Sequence, residues 1–428
     1  MFRNYLIILF SLLSGIGLQA QQLEPRLQKA GFEQIKPFDI ESNRYSEAFQ
    51  MLINQAVDHK NEDGQHFDQR VFIRHRGFDR PTILVTEGYA AGYALIPQYD
   101  EELAMYLDAN LVVVEHRYFG ESLPEPKDWK YLNLSNASAD LHHVNQILRE
   151  VYKGPWISTG ISKGGQTTIY YRYFYPDDVE ASVPYVAPLN FSVADKRVYH
   201  FQDTVANLEC RTRLKEIQRD LLSRREIYEK MFADSATARG LTFSKVGGVH
   251  KAFEYNVLEL GFAYWQWYPV PCDALPATGA DPHEIFTVFV NAAGYDFFAD
   301  QSISDFEPFF YQALTEMGFY SYNITDFKDL LLYVKNPGFT HTLPDGIHVK
   351  YSNRLNRKVN RWIQKDGNNM LYVYGAYDAW ASTAVQPGSK TNARKFLLPG
   401  GSHASRLRNF NEKKREEAIS LLQQWIAD

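Results

Sequence analysis

The chain lacks most of the motifs that would assign it to a metalloprotein, a nucleotide-binding protein or a nucleic-acid-binding protein. It has only two cysteines in 428 residues, and neither HExxH nor a Cys/His spacing typical of zinc occurs. Phosphate-binding and dinucleotide-binding glycine motifs are absent as well. The net charge of −6 is slight for this length and indicates no basic surface for nucleic acid. We therefore expect no metal, no cofactor and no nucleic-acid partner.

Long apolar runs are also missing, except at the N-terminus, which reads "MFRNYLIILFSLLSGIGLQAQQ". An early arginine, an apolar stretch over residues 6–13 and small residues up to Ala20 are typical of a secretory signal peptide. The stretch is too short and too interrupted by glycine for a membrane anchor, and no later stretch is long enough to span a bilayer. We expect cleavage near Ala20 and an exported protein, periplasmic or extracellular, without a membrane span.

Export bears on the two cysteines, Cys210 and Cys272. In an oxidising compartment an even pair often forms a disulfide, and we predict this pairing. The alternative is two buried free thiols.

Strand-like and helix-like segments alternate from residue 67 onward. The segments "HFDQRVFIRH", "PTILVTEGY" and "NLVVVEHRYFG" have the composition of strands, and the last is apolar enough to be buried on both faces. "NASADLHHVNQILREVY" has apolar residues at helical spacing, with Asn136 or Ser138 as its N-cap. Strand "PWISTGI", helix "GQTTIYYRYFY" and strand "VEASVPYVA" follow. This alternation predicts an α/β protein with a mostly parallel sheet covered on both faces.

The alternation stops near residue 190. The next segments are a long charged amphipathic helix, "LKEIQRDLLSRREIYEKMF", and stretches dense in aromatic residues, and this part of the chain holds both cysteines. The α/β pattern returns with a helix over 353–364, strands in "NMLYVYGAYDAW" and "RKFLLPGGSH", and a closing helix over 411–426. We interpret the intervening part as an insertion into one α/β domain.

The predicted domain organisation has four parts. They are a signal peptide (1–20), the first part of the α/β core (21–189), a mainly helical, aromatic-rich lid (190–348) and the second part of the core (349–428).

One short motif points to chemistry. "GISKG", residues 160–164, is the only match in the chain to G-x-S-x-G, the nucleophile elbow. In this motif the serine lies in a strained turn between a strand and a helix, and small neighbours let the backbone pass close to it. The strand before Ser162 and the helix after it are predicted independently, which supports the motif.

A serine hydroxyl becomes a good nucleophile when a histidine accepts its proton and a carboxylate orients that histidine. Around this elbow the chain order is serine, acid, histidine, each after a strand. His403 is the only histidine after the strand "NMLYVYG", and Asp378 lies in the loop that follows that strand. Taken singly, Asp378 fits a turn and His403 a surface loop. Taken with Ser162 and the chain order, they predict a catalytic triad and an α/β-hydrolase fold.

The same fold predicts where an oxyanion hole would form. One donor would be the backbone N–H of Lys163, and the second an N–H of Gly88 or Tyr89, in the loop after "TILVTEG". For the side chain of Lys163 we expect a solvated cation at the start of a helix.

Four segments together resemble a known family. "EHRYFGES" (115–122), "GISKGG" (160–165), "YGAYDAW" (374–380) and "GGSH" (400–403) resemble the secreted tripeptidyl aminopeptidases of bacteria. These serine exopeptidases are similar to lysosomal prolyl carboxypeptidase and its dipeptidyl-peptidase relative, and the likeness extends over essentially the whole mature chain. The mammalian relatives have tyrosine where this chain has Lys163, which favours the bacterial branch. The resemblance implies release of short peptides, tripeptides above all, from free N-termini, often with proline near the cut.

We therefore predict a serine exopeptidase that acts on peptides through an acyl-enzyme. Two alternatives remain open: an esterase or lipase with a lid, and a hydrolase-fold binding protein without activity. The oligomeric state is not predicted.

An aminopeptidase needs a carboxylate to pair with the ammonium group of its substrate, since an unpaired charge in a dry pocket is costly. Glu87 directly follows the strand "PTILVT", beside the predicted oxyanion loop, and is our candidate. The alternative is that Glu87 binds a backbone N–H and shapes the loop. Asp296 or Asp305 of the lid would then bind the ammonium group.

Overall fold

The structure, a computed structural model, describes residues 23–267 and 270–427. The predicted signal peptide lies outside the described residues.

A single sheet of nine strands forms the centre of the molecule, in the order β1-β2-β3-β5-β4-β6-β7-β8-β9. The strands from β4 onward run parallel to one another, while β1, β2 and β3 pair antiparallel at one side. The predicted mostly parallel sheet is thus confirmed. The strands are β1 Glu33–Pro37, β2 Glu47–Ala56, β3 His66–His75, β4 Thr82–Thr86, β5 Asn110–Val114, β6 Trp156–Ile161, β7 Ala181–Tyr185, β8 Leu371–Gly375 and β9 Arg394–Leu398.

Two of these strands, β1 and β2, precede the segment where the sequence pattern begins. All five residues of β1 are at least partly exposed, and β2 mixes polar with apolar residues, so neither has the apolar run of a central strand. By contrast, all five residues of β4, of β5 and of β8 are buried. Most of the strands that the sequence identifies are therefore covered on both faces, and the partly exposed edge strand β9 is an exception.

Helices cover the sheet and form most of the segment between β7 and β8. The α-helices are α1 Leu23–Lys29, α2 Glu102–Leu107, α3 Leu134–Arg149, α4 Lys163–Phe174, α5 Arg197–Thr204, α6 Leu208–Ser223, α7 Arg225–Ala238, α8 Val249–Trp267, α9 Pro282–Ala293, α10 Asp300–Asp305, α11 Glu307–Gln312, α12 Arg354–Lys365 and α13 Glu412–Ala427. Among these described residues no helix is long and apolar enough to cross a membrane.

The N-cap of α3 differs from the prediction. Asn133, rather than Asn136 or Ser138, caps the helix: its side chain accepts a hydrogen bond from the backbone N–H of Asn136. The helix begins at Leu134, so Asn136 and Ser138 are both inside it and buried. The apolar spacing identified the helix but placed its N-cap three or five residues too late.

Helices α5 to α11 lie between β7 and β8, where the sequence pattern predicts a lid. We use the word lid for this segment, and its bounds of 190–348 stay a prediction. The predicted disulfide is present: Cys210 at the start of α6 is bonded to Cys272, with 5.1 Å between the Cα atoms. The bond links two parts of the lid 62 residues apart.

Candidate active site

Ser162 lies on the sharp turn between β6 and α4. Its backbone has φ 57° and ψ −118°, outside the regions that non-glycine residues ordinarily adopt. Its backbone N–H donates to the carbonyl of Tyr185 at 2.9 Å, which ties the turn to the end of the neighbouring strand β7. A serine held in a strained conformation by its surroundings is typical of a nucleophile elbow.

The glycines of the motif are needed because the turn is crowded. A Cβ atom on Gly160 would lie 2.3 Å from the carbonyl oxygen of Gly164. One on Gly165 would lie 2.8 Å from the carbonyl oxygen of Tyr185 and from the Cβ of Ala187. Both glycines therefore permit the close approach of α4 to β6 and β7 that presents Ser162 at the strand end.

His403 and Asp378 are hydrogen-bonded to each other. Nδ1 of His403 lies 2.7 Å from Oδ2 of Asp378, and both side chains are buried. The other carboxylate oxygen, Oδ1, accepts from the backbone N–H of Trp380 at 3.0 Å. Because a carboxylate only accepts hydrogen bonds, Nδ1 carries the proton and Nε2 is the basic nitrogen.

Nε2 of His403 is buried and has no hydrogen-bond partner among the described residues. Ser162 and His403 line the same cavity, but no hydrogen bond joins them in this structure. Such bonds are often long in enzymes without substrate. The lid contacts the histidine directly: the backbone N–H of His403 donates to the carbonyl of Gln266, and its ring lies edge-on to that of Trp267.

The cavity has a volume of about 810 Å³, within the range of sites for small ligands. The sheet side contributes Ser162 and the loop after β4, and the lid contributes α8, α10, α11 and the segment after α11. Many of the residues that line it are aromatic. The aromatic residues that line it are Tyr89, Phe119, Trp267, Phe297, Phe306, Phe309, Phe310, Phe319, Tyr320 and Trp380.

The loop after β4 packs tightly against the turn that carries Ser162. A Cβ atom on Gly88 would lie 2.6 Å from the side chain of Lys163 and 2.8 Å from the backbone nitrogen of Gly164. Lys163 is the first residue of α4, and N–H groups in the first helical turn have no acceptor within their helix. The loop and the helix start predicted to form an oxyanion hole are therefore adjacent.

The predicted solvation of the Lys163 side chain is wrong. The residue is 2% exposed, and its Nζ donates to the carbonyl oxygen of Gly88. The ammonium group lies 5.4 Å from the ring centroid of Tyr89 and 5.2 Å from that of Phe119. Burial holds the pKa of Lys163 well below its usual range, although the nearby Glu87 acts in the opposite direction. A helix start is usually exposed, but here the loop after β4 covers it.

The carboxylate of Glu87 accepts hydrogen bonds within its own loop. Oε1 accepts from the hydroxyl of Tyr93, and Oε2 accepts from the N–H of Gly88 at 3.2 Å. Burial raises the pKa of Glu87, while these two hydrogen bonds and the charge of Lys163 lower it. Glu87 lines the cavity, so its predicted role in ammonium binding stays a prediction. Among the described residues that line the cavity, Asp305 is present and Asp296 is not.

The segment "EHRYFGES" forms buried hydrogen bonds that stabilise the loop after β4. The buried carboxylate of Glu115 accepts from Arg70 and from the backbone N–H of Ala91, in the loop that also carries Gly88. Arg117 is buried too and binds Asp140 through two nitrogens. The motif therefore holds the loop after β4 in place through buried charged hydrogen bonds.

The sequence analysis did not identify Glu259. It lies on α8, is 5% exposed and lines the cavity. The hydroxyls of Tyr320 and Tyr322 both donate to its Oε2, at 2.7 and 2.6 Å. A glutamate within the apolar run "VLELGFAYW" was the available signal, because a charged residue there must be exposed, paired or functional. No group of three or more metal-binding side chains that could hold a metal ion occurs within 23–267 and 270–427.

The strand order and the site together define a class. A mostly parallel sheet, a serine on the turn between a strand and its following helix, and a histidine–aspartate pair after the last two strands are the features of an α/β-hydrolase. The predicted fold class is confirmed. Comparison with known proteins then gives the family: residues 35–427 match the model of PS-10 peptidase S37, and the chain belongs to that family.

Three proteins illustrate the similarity. The prolyl tri/tetrapeptidyl aminopeptidase of Streptomyces mobaraensis is 34% identical over 383 residues, which cover 88% of this chain and 79% of that one. The lysosomal Pro-X carboxypeptidase of Mus musculus is 28% identical over 205 residues, which cover 44% of this chain and 41% of that one. Among solved structures, proline iminopeptidase of Mycobacterium smegmatis is 13% identical with a TM-score of 0.39, covering 88% of this chain and all of that one.

The family and the Streptomyces relative identify this chain as a serine peptidase of the tripeptidyl aminopeptidase type. The family resemblance noted in the sequence is confirmed. Of the three functions considered, the esterase and the inactive binding protein are therefore not favoured.

Proposed function

We propose that this protein is an exported exopeptidase that releases short peptides, tripeptides above all, from free N-termini, with a preference for proline next to the cut. The similarity to the Streptomyces prolyl tri/tetrapeptidyl aminopeptidase supports the length and the preference. The disulfide and the N-terminal sequence support export to the periplasm or the extracellular space.

The observation that carries the proposed mechanism is the hydrogen bond from Nδ1 of His403 to Asp378, which leaves Nε2 basic. Ser162 is the nucleophile, and His403 Nε2 takes its proton as Oγ bonds to the scissile carbonyl carbon. The protonated histidine then gives that proton to the leaving amine as the C–N bond breaks. A water molecule then bonds to the acyl carbon while His403 Nε2 takes its proton, and His403 returns that proton to Oγ of Ser162 as the ester bond breaks.

Asp378 keeps the imidazole in the required tautomer and stabilises its positive charge. The Lys163 N–H and one N–H of Gly88 or Tyr89 would bind the oxyanion. In this structure the Gly88 N–H donates to Glu87, so Gly88 would serve as the second donor only when that contact is exchanged for the substrate.

Digestion of a peptide library, analysed by mass spectrometry, tests the function. We expect products shortened from the N-terminus by a fixed small number of residues, and no cleavage of the same peptides after N-acetylation. Cleavage within acetylated peptides would show an endopeptidase instead. A serine-directed phosphonate should label Ser162, and the Ser162→Ala variant should remain unlabelled; a label elsewhere would exclude Ser162 as the nucleophile.

A further inference from the structure

Glu259 is placed where it can contact a ligand in the cavity. It lies near the middle of α8, on the face that also contributes Ala263 and Gln266 to the cavity wall. The turn that carries Ser162 lies on the sheet side of the same cavity. A group that reaches both Ser162 and Glu259 therefore spans from the core to the lid.

The carboxylate of Glu259 is held in a fixed position, yet only one of its two oxygens accepts hydrogen bonds from the described residues. Tyr320 and Tyr322 both donate to Oε2, and Oε1 accepts no hydrogen bond from any residue within the described ranges. The ring of Tyr320 stacks on that of Phe262 with centroids 3.8 Å apart, which fixes its hydroxyl. One oxygen is thus oriented by the protein, and the other is available to a ligand.

Glu259 also lacks a cation, in contrast to its neighbour on the same helix. Glu254 is buried but pairs with Arg225 and accepts three backbone N–H groups. Glu259 forms no ion pair with any described residue, and burial raises its pKa to about 7, against the effect of the two tyrosine hydroxyls. A buried carboxylate without a counter-charge is costly, and a cationic ligand would remove that cost.

Glu87 differs from Glu259 in its hydrogen bonding. Both of its oxygens accept hydrogen bonds within its own loop, although burial still raises the pKa of Glu87. Glu87 therefore has no carboxylate oxygen without a hydrogen bond, whereas Glu259 has one.

We infer that Glu259 binds the α-ammonium group of the peptide substrate through its free carboxylate oxygen. This inference rests on the proposed exopeptidase function. The ligand class is a short peptide with an unblocked N-terminus, whose side chains pack against the aromatic walls of the cavity. Because the ammonium group is bound by the lid and the scissile bond by the core, the separation of Glu259 from Ser162 sets how many residues are released.

Steady-state kinetics on matched substrates test the inference. A proline-containing tripeptide anilide with a free amine is compared with its N-acetylated form and with p-nitrophenyl acetate, which has no amine. The variants are Glu259→Gln, Glu87→Gln and, as a control, Glu284→Gln, which changes an exposed lid carboxylate outside the cavity. For Glu259→Gln we expect kcat/KM on the free amine to fall about 30-fold or more, mainly through KM.

The other substrates and variants separate this role from a structural one. With Glu259→Gln, hydrolysis of p-nitrophenyl acetate should stay within about twofold of wild type, and the preference for the free over the acetylated peptide should largely disappear. Glu284→Gln should match wild type on all three substrates. Calorimetry with the Ser162→Ala protein as background measures binding without turnover. There, Glu259→Gln should weaken the binding of the tripeptide with a free amine and leave the binding of the acetylated tripeptide unchanged.

The possible failures are distinguishable. If wild type cleaves the free and the acetylated peptide equally well, the exopeptidase function is wrong, and this inference fails with it. If wild type prefers the free amine and Glu259→Gln keeps that preference, only the inference is wrong. Loss of the preference in Glu87→Gln instead would assign ammonium binding to Glu87, as the sequence predicts.

Discussion

Nδ1 of His403 donates a hydrogen bond to Oδ2 of Asp378 across 2.7 Å, although the two residues come from different loops. The loops follow the neighbouring parallel strands β8 and β9, so their side chains meet at one edge of the sheet. Asp378 is also fixed by the N–H of Trp380, whose ring packs against Phe319 and Tyr320. The proposed catalytic acid is thereby linked to Tyr320, one of the two hydrogen-bond partners of Glu259.

The Asp378→Asn substitution should reverse the tautomer of His403. The amide introduced at this position would donate where the carboxylate accepts, so Nε2 would carry the proton and could not act as a base. We expect kcat to fall on the order of 10⁴-fold with little change in KM. Ser162→Ala and His403→Ala should each lower kcat by up to about 10⁶-fold. Ordinary turnover in either alanine variant, measured on purified protein, would exclude the proposed triad.

Lys163→Met should impair catalysis more than binding. Methionine keeps an apolar stem of similar length but cannot donate to the carbonyl of Gly88, so the loop that carries the proposed oxyanion donors would lose an anchor. We expect kcat to fall about tenfold or more, with a smaller change in KM. The control is Lys230→Met, whose side chain is 74% exposed on α7. An unchanged kcat in Lys163→Met would mean that the loop holds its position without the lysine.

Gly160→Ala should disrupt the turn that carries Ser162. The added Cβ would lie 2.3 Å from the backbone carbonyl of Gly164, which cannot move without displacing α4. We expect a loss of about 3 kcal/mol or more in the free energy of unfolding, together with loss of activity. Gly338→Ala is the matched control, because its Cβ would have no atom within 4 Å. Equal melting temperatures for the two variants would contradict this account.

The disulfide should stabilise the lid. Its 62-residue separation closes a long loop, so replacing Cys210 and Cys272 by serine should lower the free energy of unfolding by about 2–5 kcal/mol. Urea unfolding of the variant and of wild type measures the difference. Thiol titration of the denatured, unreduced protein should detect no free thiol, and two reactive thiols per chain would contradict the bond.

Glu259 should make stability depend on pH. Burial raises its pKa from 4.5 to about 7 in the folded protein, so between these values the folded state binds more protons than the unfolded state. Its contribution to the free energy of unfolding is therefore full below pH 4.5 and falls by about 3 kcal/mol as the pH rises through 7. Glu259→Gln should remove this dependence and be more stable than wild type at pH 8, in urea unfolding at about pH 5 and about pH 8.

The same titration should affect substrate binding in the opposite direction. Below about pH 7 the protonated Glu259 no longer pairs with an ammonium group, so the Kd of a free-amine tripeptide for the Ser162→Ala protein should rise as the pH falls. The titratable groups that share the cavity are Glu87, Tyr89, Lys163, Asp305, Tyr320 and His403, and Tyr322 contacts Glu259 directly. A pH dependence that persists in Glu259→Gln would belong to one of these groups.

The sequence by itself determined the central strands, the helix after Ser162 and the chain order of the proposed triad. These features depend on local composition: strands buried on both faces are apolar throughout, and the turn at Ser162 needs glycines that are visible as letters. Strands β1 and β2 lack that signal, because they lie at the side of the sheet and are partly exposed.

Only the tertiary structure decided the environment of the charged side chains. Lys163 has the sequence context of an exposed helix start but is covered by the loop after β4. Glu87 directly follows its strand yet is satisfied within its own loop, whereas Glu259 looks like an interruption of an apolar helix and lines the cavity. The hydrogen bonds that a buried carboxylate accepts depend on groups far away in the chain. Tyr320 and Tyr322, for example, are brought to Glu259 only by the packing of the lid.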